Sequence, residues 1–155
     1  MIRFRKVTPQ DSSLLFEWAN DSEVRRNSFT TKPIELKSHE EWLNQKLNDP
    51  DCFFLIGELH QIPYCQIRFE KQIKTRIAII SISISKDFRK KNLGSESIQK
   101  AIQLFLDQNP DYRIDAHIRS ENTASIKVFI KAGFVLNAEY PDQDHLIYSY
   151  NNLKL

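Results

Sequence analysis

The pattern of apolar and polar positions divides the chain into alternating strand-like and helix-like stretches. Ile2 to Val7 alternates apolar and basic residues, the period of a half-buried strand. Thr8, Pro9 and Asp11 follow as a capped helix start. Apolar residues from Leu14 to Trp18 form a helical stripe, and Asn20-Asp21-Ser22 offers either a stop or a fresh cap before Val24 and Arg25, so a broken helix pair is expected. Ser38 and Glu41 read as a capping box for a helix with Trp42, Leu43 and Leu47 on its apolar face, ended by Asn48-Asp49-Pro50. CFFLIGEL and the stretch from Pro63 to Phe69 predict a hairpin about His60 and Gln61. In IAIISISIS, from Ile77 to Ser85, one face is apolar and the other carries small hydroxyls that leave room for a ligand beside a sheet.

The second half continues the alternation. Ser95 to Gln108 is an amphipathic helix with Ile98, Ala101, Ile102, Leu104 and Phe105 near helical spacing, stopped by Asn109-Pro110-Asp111. YRIDAHI is a strand, Asn122 caps a helix running to Ala132, Gly133 ends it before FVLNAEY, and a last strand runs from His145 to Tyr150. The order is strand, helices, three strands, helix, strand, helix, two strands, without repeat or linker. That pattern predicts one mixed α/β domain over residues 1–155.

Composition removes several classes of function. A chain of 155 residues with 41% hydrophobic residues can bury one sizeable core. Its formal net charge is +2 and it has no long block of like charge, which argues against a nucleic-acid partner or a membrane-binding tail. The N-terminal MIRFRKVTPQ has charges where a signal peptide needs an apolar core, and no apolar run nears membrane-spanning length, so a cytoplasmic protein is expected. Cys52 and Cys65 have no metal-ligand spacing and lie in apolar runs; two reduced, mostly buried thiols and no metal are expected. Glycine occurs only at 57, 94 and 133, too few for a Rossmann or Walker fingerprint, which argues against nucleotide hydrolysis.

The informative junction is SISKDFRKKNLGSESIQKAI, where the amides of a helix start can hold an anion and Lys86, Arg89, Lys90 and Lys91 add positive charge. Arg89-Lys90-Lys91-Asn92-Leu93-Gly94 resembles the R-x-x-G-x-G turn of GNAT acetyltransferases, with Asn92 in place of the first glycine. Asparagine tolerates a left-handed backbone, which keeps that turn accessible. Asn122-Thr123-Ala124-Ser125, followed by Val128-Phe129 and Ala132-Gly133-Phe134, resembles the N-x-x-A/S and G-F signature of the family's next helix. The resemblance covers the C-terminal half well. It implies an acyl-coenzyme A acyltransferase fold with a central mixed sheet of about seven strands and about four flanking helices, and acetyl-coenzyme A as cofactor.

The resemblance also distributes roles. The cofactor is expected where Ile80 to Ser85 and Ile114 to Arg119 splay apart. Amides of Ile82, Ser83 and Ile84 would polarise the thioester, and Arg89, Lys90, Lys91, Asn92, Leu93, Gly94 and Ser95 would receive the pyrophosphate. Asn122 and Ser125 would contact the pantetheine arm or order water near the sulfur, with Phe129 also in the cofactor set. Many relatives carry a tyrosine at the position of Phe129 as general acid, so Ser125, a water or another tyrosine would protonate the sulfur here, or the thiolate would leave unassisted. His117, five residues before Asn122, falls where ribosomal-protein N-terminal acetyltransferases place a catalytic glutamate; both a general base and a packed strand histidine remain open, with His39 and Glu70 as further candidates for the base.

The N-terminal third sets the acceptor in this superfamily. Trp18, Asn20, Arg25, Asn27, His39, Trp42 and Arg68 form the candidate substrate set, with core packing the first reading for the two tryptophans. This segment and IPYCQIRF resemble acetyltransferases of nonulosonic-acid pathways, which implies the 4-amino group of a nucleotide-linked deoxy-amino sugar as acceptor, with Arg25, Arg26, Lys32 and Arg68 available for its phosphates. A protein N-terminus or other small amine is the competing acceptor, and an acetyl-coenzyme A-binding module without turnover is the non-enzymatic alternative. Both a monomer and a homodimer stay open.

Overall fold

In the computed structural model, residues 1–151 are described. Seven strands form one sheet in the order β1-β2-β3-β4-β5-β7-β6: β1 (Ile2–Lys6), β2 (Cys52–Leu59), β3 (Ile62–Gln72), β4 (Ile77–Ile84), β5 (Arg113–Arg119), β6 (Val135–Tyr140) and β7 (His145–Tyr150). The helices are α1 (Ser12–Ala19), α2 (Ser22–Asn27), α3 (Leu36–Leu47), α4 (Gly94–Gln108) and α5 (Thr123–Lys131), with the break at Asn20–Ser22 giving the expected helix pair α1 and α2. Asn20 closes α1 and Asp21 caps α2, its Oδ1 accepting the Glu23 and Val24 amides at 3.0 and 3.2 Å. The β2–β3 hairpin turns on His60 and Gln61, both with positive φ.

One expectation is corrected. Ser38 does not cap α3: the helix begins two residues earlier, at Leu36, with Glu35 as N-cap and no side-chain cap. The Ser-x-x-Glu spacing lies within the first turns, where it has no end to cap.

Period-2 alternation sends side chains of each strand to two separate cores. Ala78, Ile80, Ile114, Ala116 and Ile118 pack with Ile98, Ile102 and Phe105 of α4 and with Phe129 of α5. On the other face, Phe54 and Ile56 pack with Leu15, Trp18 and Leu43 of α1 and α3. Both cysteines are free thiols, and burial pushes Cys65 up to about 12 and Cys52 up to about 11, so neither supplies a thiolate near neutral pH.

Strands β4 and β5 are the parallel pair, and they touch only at their beginnings, through Ile77 with Arg113, Ala78 with Ile114 and Ile79 with Asp115. Beyond Ile79 and Asp115 the strands part. The seven-stranded sheet therefore contains an internal opening between the last five residues of β4 and the last four of β5.

Candidate active site

The opening exposes backbone. The Ser85 amide donates to Tyr64 of β3 at 2.8 Å, and the Arg113 amide of β5 donates to the Arg76 carbonyl at 3.0 Å. Alternation along β4 then directs the odd-numbered amides toward β3 and the even-numbered ones toward β5. Where β5 has left, the Ile82 and Ile84 amides face the opening with no strand partner among the described residues. Of the three amides expected there, Ser83 is the one turned away, toward β3.

At the upper end of β4 the chain turns into α4. Asn92 has φ 59° and is followed by Leu93 in the right-handed region, a pairing that makes an anion-binding concavity of consecutive amides. Lys90 also has positive φ, at 61°. The N-cap of α4 is Leu93, which has no side-chain acceptor, so the first-turn amides at Gly94 and Ser95 lack the internal cap that Asp21 and Asn122 give α2 and α5. Lys90 and Lys91 are exposed. Arg89 is not free: its Nε donates to the Ile84 carbonyl at 3.0 Å and its guanidinium pairs with Asp21 at 2.9 Å and Glu23 at 2.7 Å. Expected on the pyrophosphate, this side chain instead straps the turn to α2. Tyr64, missed in the sequence, anchors the turn from below, its buried hydroxyl 2.6 Å from Ser97 Oγ, which donates to the Leu93 carbonyl.

Beside β4, on the face of Ser81 and Ser83, lies a cavity of about 500 Å³. Trp18, Trp42 and Phe54 supply aromatic walls and Arg25, His39, Gln66, Arg68, Ser81 and Ser83 are among its polar groups; no carboxylate of the described residues lines it. The Arg68 guanidinium lies 5.0 Å from the Trp42 ring and 5.6 Å from the Phe54 ring, with Nη2 3.4 Å from Ser81 Oγ. Burial alone would raise the Glu70 carboxyl, but Lys46 and Arg68 beside it outweigh that and hold it below the usual range, which leaves it tied up as an ion pair and not as a base.

A sequence model of the acetyltransferase (GNAT) domain matches residues 2–135. The chain belongs to the GNAT acetyltransferase family. Solved structures with the same fold include a domain from Methanocaldococcus jannaschii (21% identity, 97% of this chain and 98% of that one, TM-score 0.83). Aminoglycoside acetyltransferase AAC(6')-Ib in complex with coenzyme A is 18% identical over 96% of this chain and 93% of that one, with TM-score 0.81. Spermidine N-acetyltransferase from Vibrio cholerae, in complex with coenzyme A and spermine, is 17% identical over 96% and 92% of the two chains, with TM-score 0.82. No curated protein sequence matches. As a GNAT enzyme the protein is an acetyl-coenzyme A-dependent N-acetyltransferase, and the uncapped α4 start and the open β4 edge fit a pyrophosphate followed by an extended amide-bearing arm.

The remaining expected residues fall into two groups. Trp18, Arg25, His39, Trp42 and Arg68 do line the cavity, whereas Asn20 and Asn27 do not. Asn20 bridges to Ile34 through both its amide atoms, and Asn27 Nδ2 donates to the Glu23 carbonyl. Arg25, expected to meet phosphate, has its guanidinium taken up by the carbonyls of Ala19, Thr30 and Lys32 and by Ser28 Oγ, so it organises the segment between α2 and α3; burial lowers its pKa. His39 is 2% exposed and its Nε2 donates to the Ser12 carbonyl at 3.1 Å, joining α3 to α1.

On the cofactor side, Asn122 Oδ1 accepts the Ser125 amide at 3.2 Å, a capping role. Ser125 is half-buried in the first turn of α5, with no hydrogen-bond partner for Oγ among the described residues. Phe129, placed in the cofactor set by resemblance, is 3% exposed and meets Phe134 edge-on, which makes it core. His117 stands on β5 two residues beyond the parting, opposite in face to the buried Ala116 and Ile118. Continuing the Ile79–Asp115 register sets it level with Ser81 across the opening. Burial lowers its pKa, repulsion by His145 lowers it further and Asp115 opposes both, so the ring is neutral near pH 7.

Proposed function

We propose that the enzyme acetylates the 4-amino group of a nucleotide-linked amino sugar, with His117 as general base. The observation that carries this reading is the composition of the cavity beside the open β4 edge: aromatic walls, serine hydroxyls and Arg68, with no carboxylate among the described residues. A polycation would need acidic groups there, since burying charge without a partner is costly. A sugar ring with one amine and an anionic tail fits aromatic and cationic surroundings. The resemblance of the Trp18 to Trp42 segment to nonulosonic-acid acetyltransferases points the same way.

Acetyl-coenzyme A, when bound, supplies a thioester whose acetyl group is open to attack by a neutral amine. The Ile82 and Ile84 amides, aimed into the opening, would donate to oxygen as negative charge develops there. Amides of Gly94 and Ser95, with Lys90 and Lys91 nearby, would hold the pyrophosphate end. His117 would take the amine proton, and the Ser125 hydroxyl, in the first turn of α5, would protonate the departing sulfur.

The test is a panel of nucleotide-linked amino sugars, peptide N-termini, lysine peptides and spermine, followed by release of the coenzyme A thiol, with cofactor binding by calorimetry in parallel. The amino sugars should give the highest kcat/KM. A panel led by peptide N-termini or spermine overturns the acceptor assignment, and cofactor binding without thiol release for any amine overturns catalysis. His117→Ala should lower kcat/KM about a hundredfold while cofactor affinity holds.

A further inference from the structure

His117 does not stand alone. Its Nδ1 lies 2.8 Å from Nε2 of His145, the first residue of β7, and the two ring centroids are 4.9 Å apart. A contact of that length between two nitrogens holds one proton, so one ring donates and the other accepts. The arrangement has only two neutral forms. In one, His117 Nδ1–H donates to His145 Nε2, and His117 Nε2 keeps its lone pair. In the other, His145 Nε2–H donates to His117 Nδ1, and His117 Nε2 carries a hydrogen and cannot accept. Only the first form leaves His117 with a nitrogen able to accept a proton.

The surroundings hold His145 in place. The Phe29 ring meets it edge-on at 4.8 Å, and Tyr140 of β6 lies 5.5 Å away. Asp144, just before it, is fixed by Arg119 at 2.9 Å and by Ser120. Asp115, on the same face of β5 as His117, has its carboxylate occupied by Arg113 at 3.0 Å and by the Ser149 hydroxyl at 2.6 Å. The charged and titratable groups around the pair are therefore Asp115, Arg113, Arg119, Asp144 and Tyr140, and each of the first four is already matched to a partner. The carboxylates are engaged elsewhere, which leaves the second imidazole as the hydrogen-bond partner of His117 Nδ1 among the described residues.

Resting on the assignment of His117 as base, we infer that His145 is its positioning partner and proton outlet, a neutral imidazole standing where a carboxylate would more often orient a catalytic histidine. The step balances within the pair. The ammonium form of the acceptor gives its proton to His117 Nε2, the Nδ1 proton of His117 passes to His145 Nε2, and the half-buried His145 releases its own Nδ1 proton to water. His117 is left neutral with hydrogen on Nε2; loss of that proton to water, return of the shared proton to His117 Nδ1 and uptake of a proton from water at His145 Nδ1 restore the base for the next turnover. The pair carries at most one extra proton, because two adjacent imidazolium rings would repel. A relay of this kind suits a base whose own basicity is lowered by burial: the proton need not remain on the buried ring.

The test compares His117→Ala, His145→Ala, the double variant and His145→Gln, each checked for folding by circular dichroism. His145→Ala should lower kcat at least tenfold, leave the KM for acetyl-coenzyme A unchanged and move the acidic limb of the pH–rate profile. The double variant should be no slower than His117→Ala alone, since the two rings act as a unit. His145→Gln, whose side-chain oxygen can accept the Nδ1–H but cannot carry a proton onward, should recover part of the loss in kcat. Nitrogen-15 NMR of the imidazoles in the resting enzyme should find hydrogen on His117 Nδ1. Wild-type turnover and an unmoved acidic limb in His145→Ala, with His117→Ala impaired, overturn the pairing and leave the base in place. Losses that multiply in the double variant, or hydrogen on His117 Nε2 with none on Nδ1 in the resting enzyme, overturn it as well. Full activity in His117→Ala removes the base assignment, and the pairing falls with it.

Discussion

Gly94 must stay small for a packing reason. A Cβ built there would come within 2.8 Å of Val128 Cγ1 on α5, a β-branched side chain with little freedom to yield. Gly94→Ala should gain helix propensity of about 1 kcal/mol but lose about 1–3 kcal/mol to overpacking. In a Val128→Ala background the same change should cost at least ~1 kcal/mol less by urea denaturation. Equal costs in both backgrounds would place the constraint elsewhere in the fold. Asp11 offers a second residue-scale expectation. Its carboxylate takes two hydrogen bonds from Arg5 at 2.8 Å and one from the Thr8 amide, which hold its pKa below the usual range despite burial. A depressed folded pKa means the stabilisation is complete above the unfolded value near 3.9 and is lost as pH falls through the folded one. Asp11→Asn should therefore cost about 1–3 kcal/mol at pH 7 and progressively less as pH falls below about 3.9. A cost that stays constant down to pH 2 would contradict the ion pair as its source. Of these features, the left-handed Asn92 was legible because asparagine tolerates that backbone. The left-handed Lys90, the Val128 contact and the carbonyl partners of Arg25 were not, since each depends on groups brought together by the fold.

At the scale of elements, α2 is tied to both sides of the opening. Arg89, after β4, pairs with Asp21 and Glu23, while Arg119, at the end of β5, donates to the Arg26 carbonyl at 2.8 Å. Asp21 does double duty, because it also caps the helix. If Arg89 acts as a strap and not as a phosphate ligand, Glu23→Gln should reproduce much of the effect of Arg89→Gln on the KM of both substrates. Were Arg89 to contact phosphate, Arg89→Gln would raise the KM of acetyl-coenzyme A while Glu23→Gln left it near wild type. The strands and the order of elements were readable from period-2 and period-3.6 patterns, and the hairpin at His60–Gln61 from its polar turn. The start of α3 was misread because Ser-x-x-Glu is also common inside a helix, where only the position of the preceding Pro33-Ile34-Glu35 decides which residue is the cap. No helix among the described residues is long and apolar enough to cross a membrane.

For the whole molecule, the parting of β4 and β5 leaves two halves of the sheet joined by three residue pairs, with α4 and α5 packed across one face. A ligand that lies in the opening and accepts from the Ile82 and Ile84 amides would replace the missing ladder, so binding should be read out as stability. With ligand in excess at about 100 times its dissociation constant, the folded state gains about 2.7 kcal/mol. For a chain of this size that corresponds to a rise in Tm of roughly 5–11 °C, taking about 2–4 °C per kcal/mol. Any tight ligand would raise Tm, so the deciding measurement is local. Hydrogen exchange in the presence of coenzyme A should slow at the Ile82 and Ile84 amides and in the first turn of α4 at Gly94 and Ser95. The Ser81 and Ser83 amides, directed toward β3, should already be protected without it. A rise in Tm with unchanged exchange at Ile82 and Ile84 would mean that the cofactor does not lie along β4, and the polarising role of those amides would fall with it.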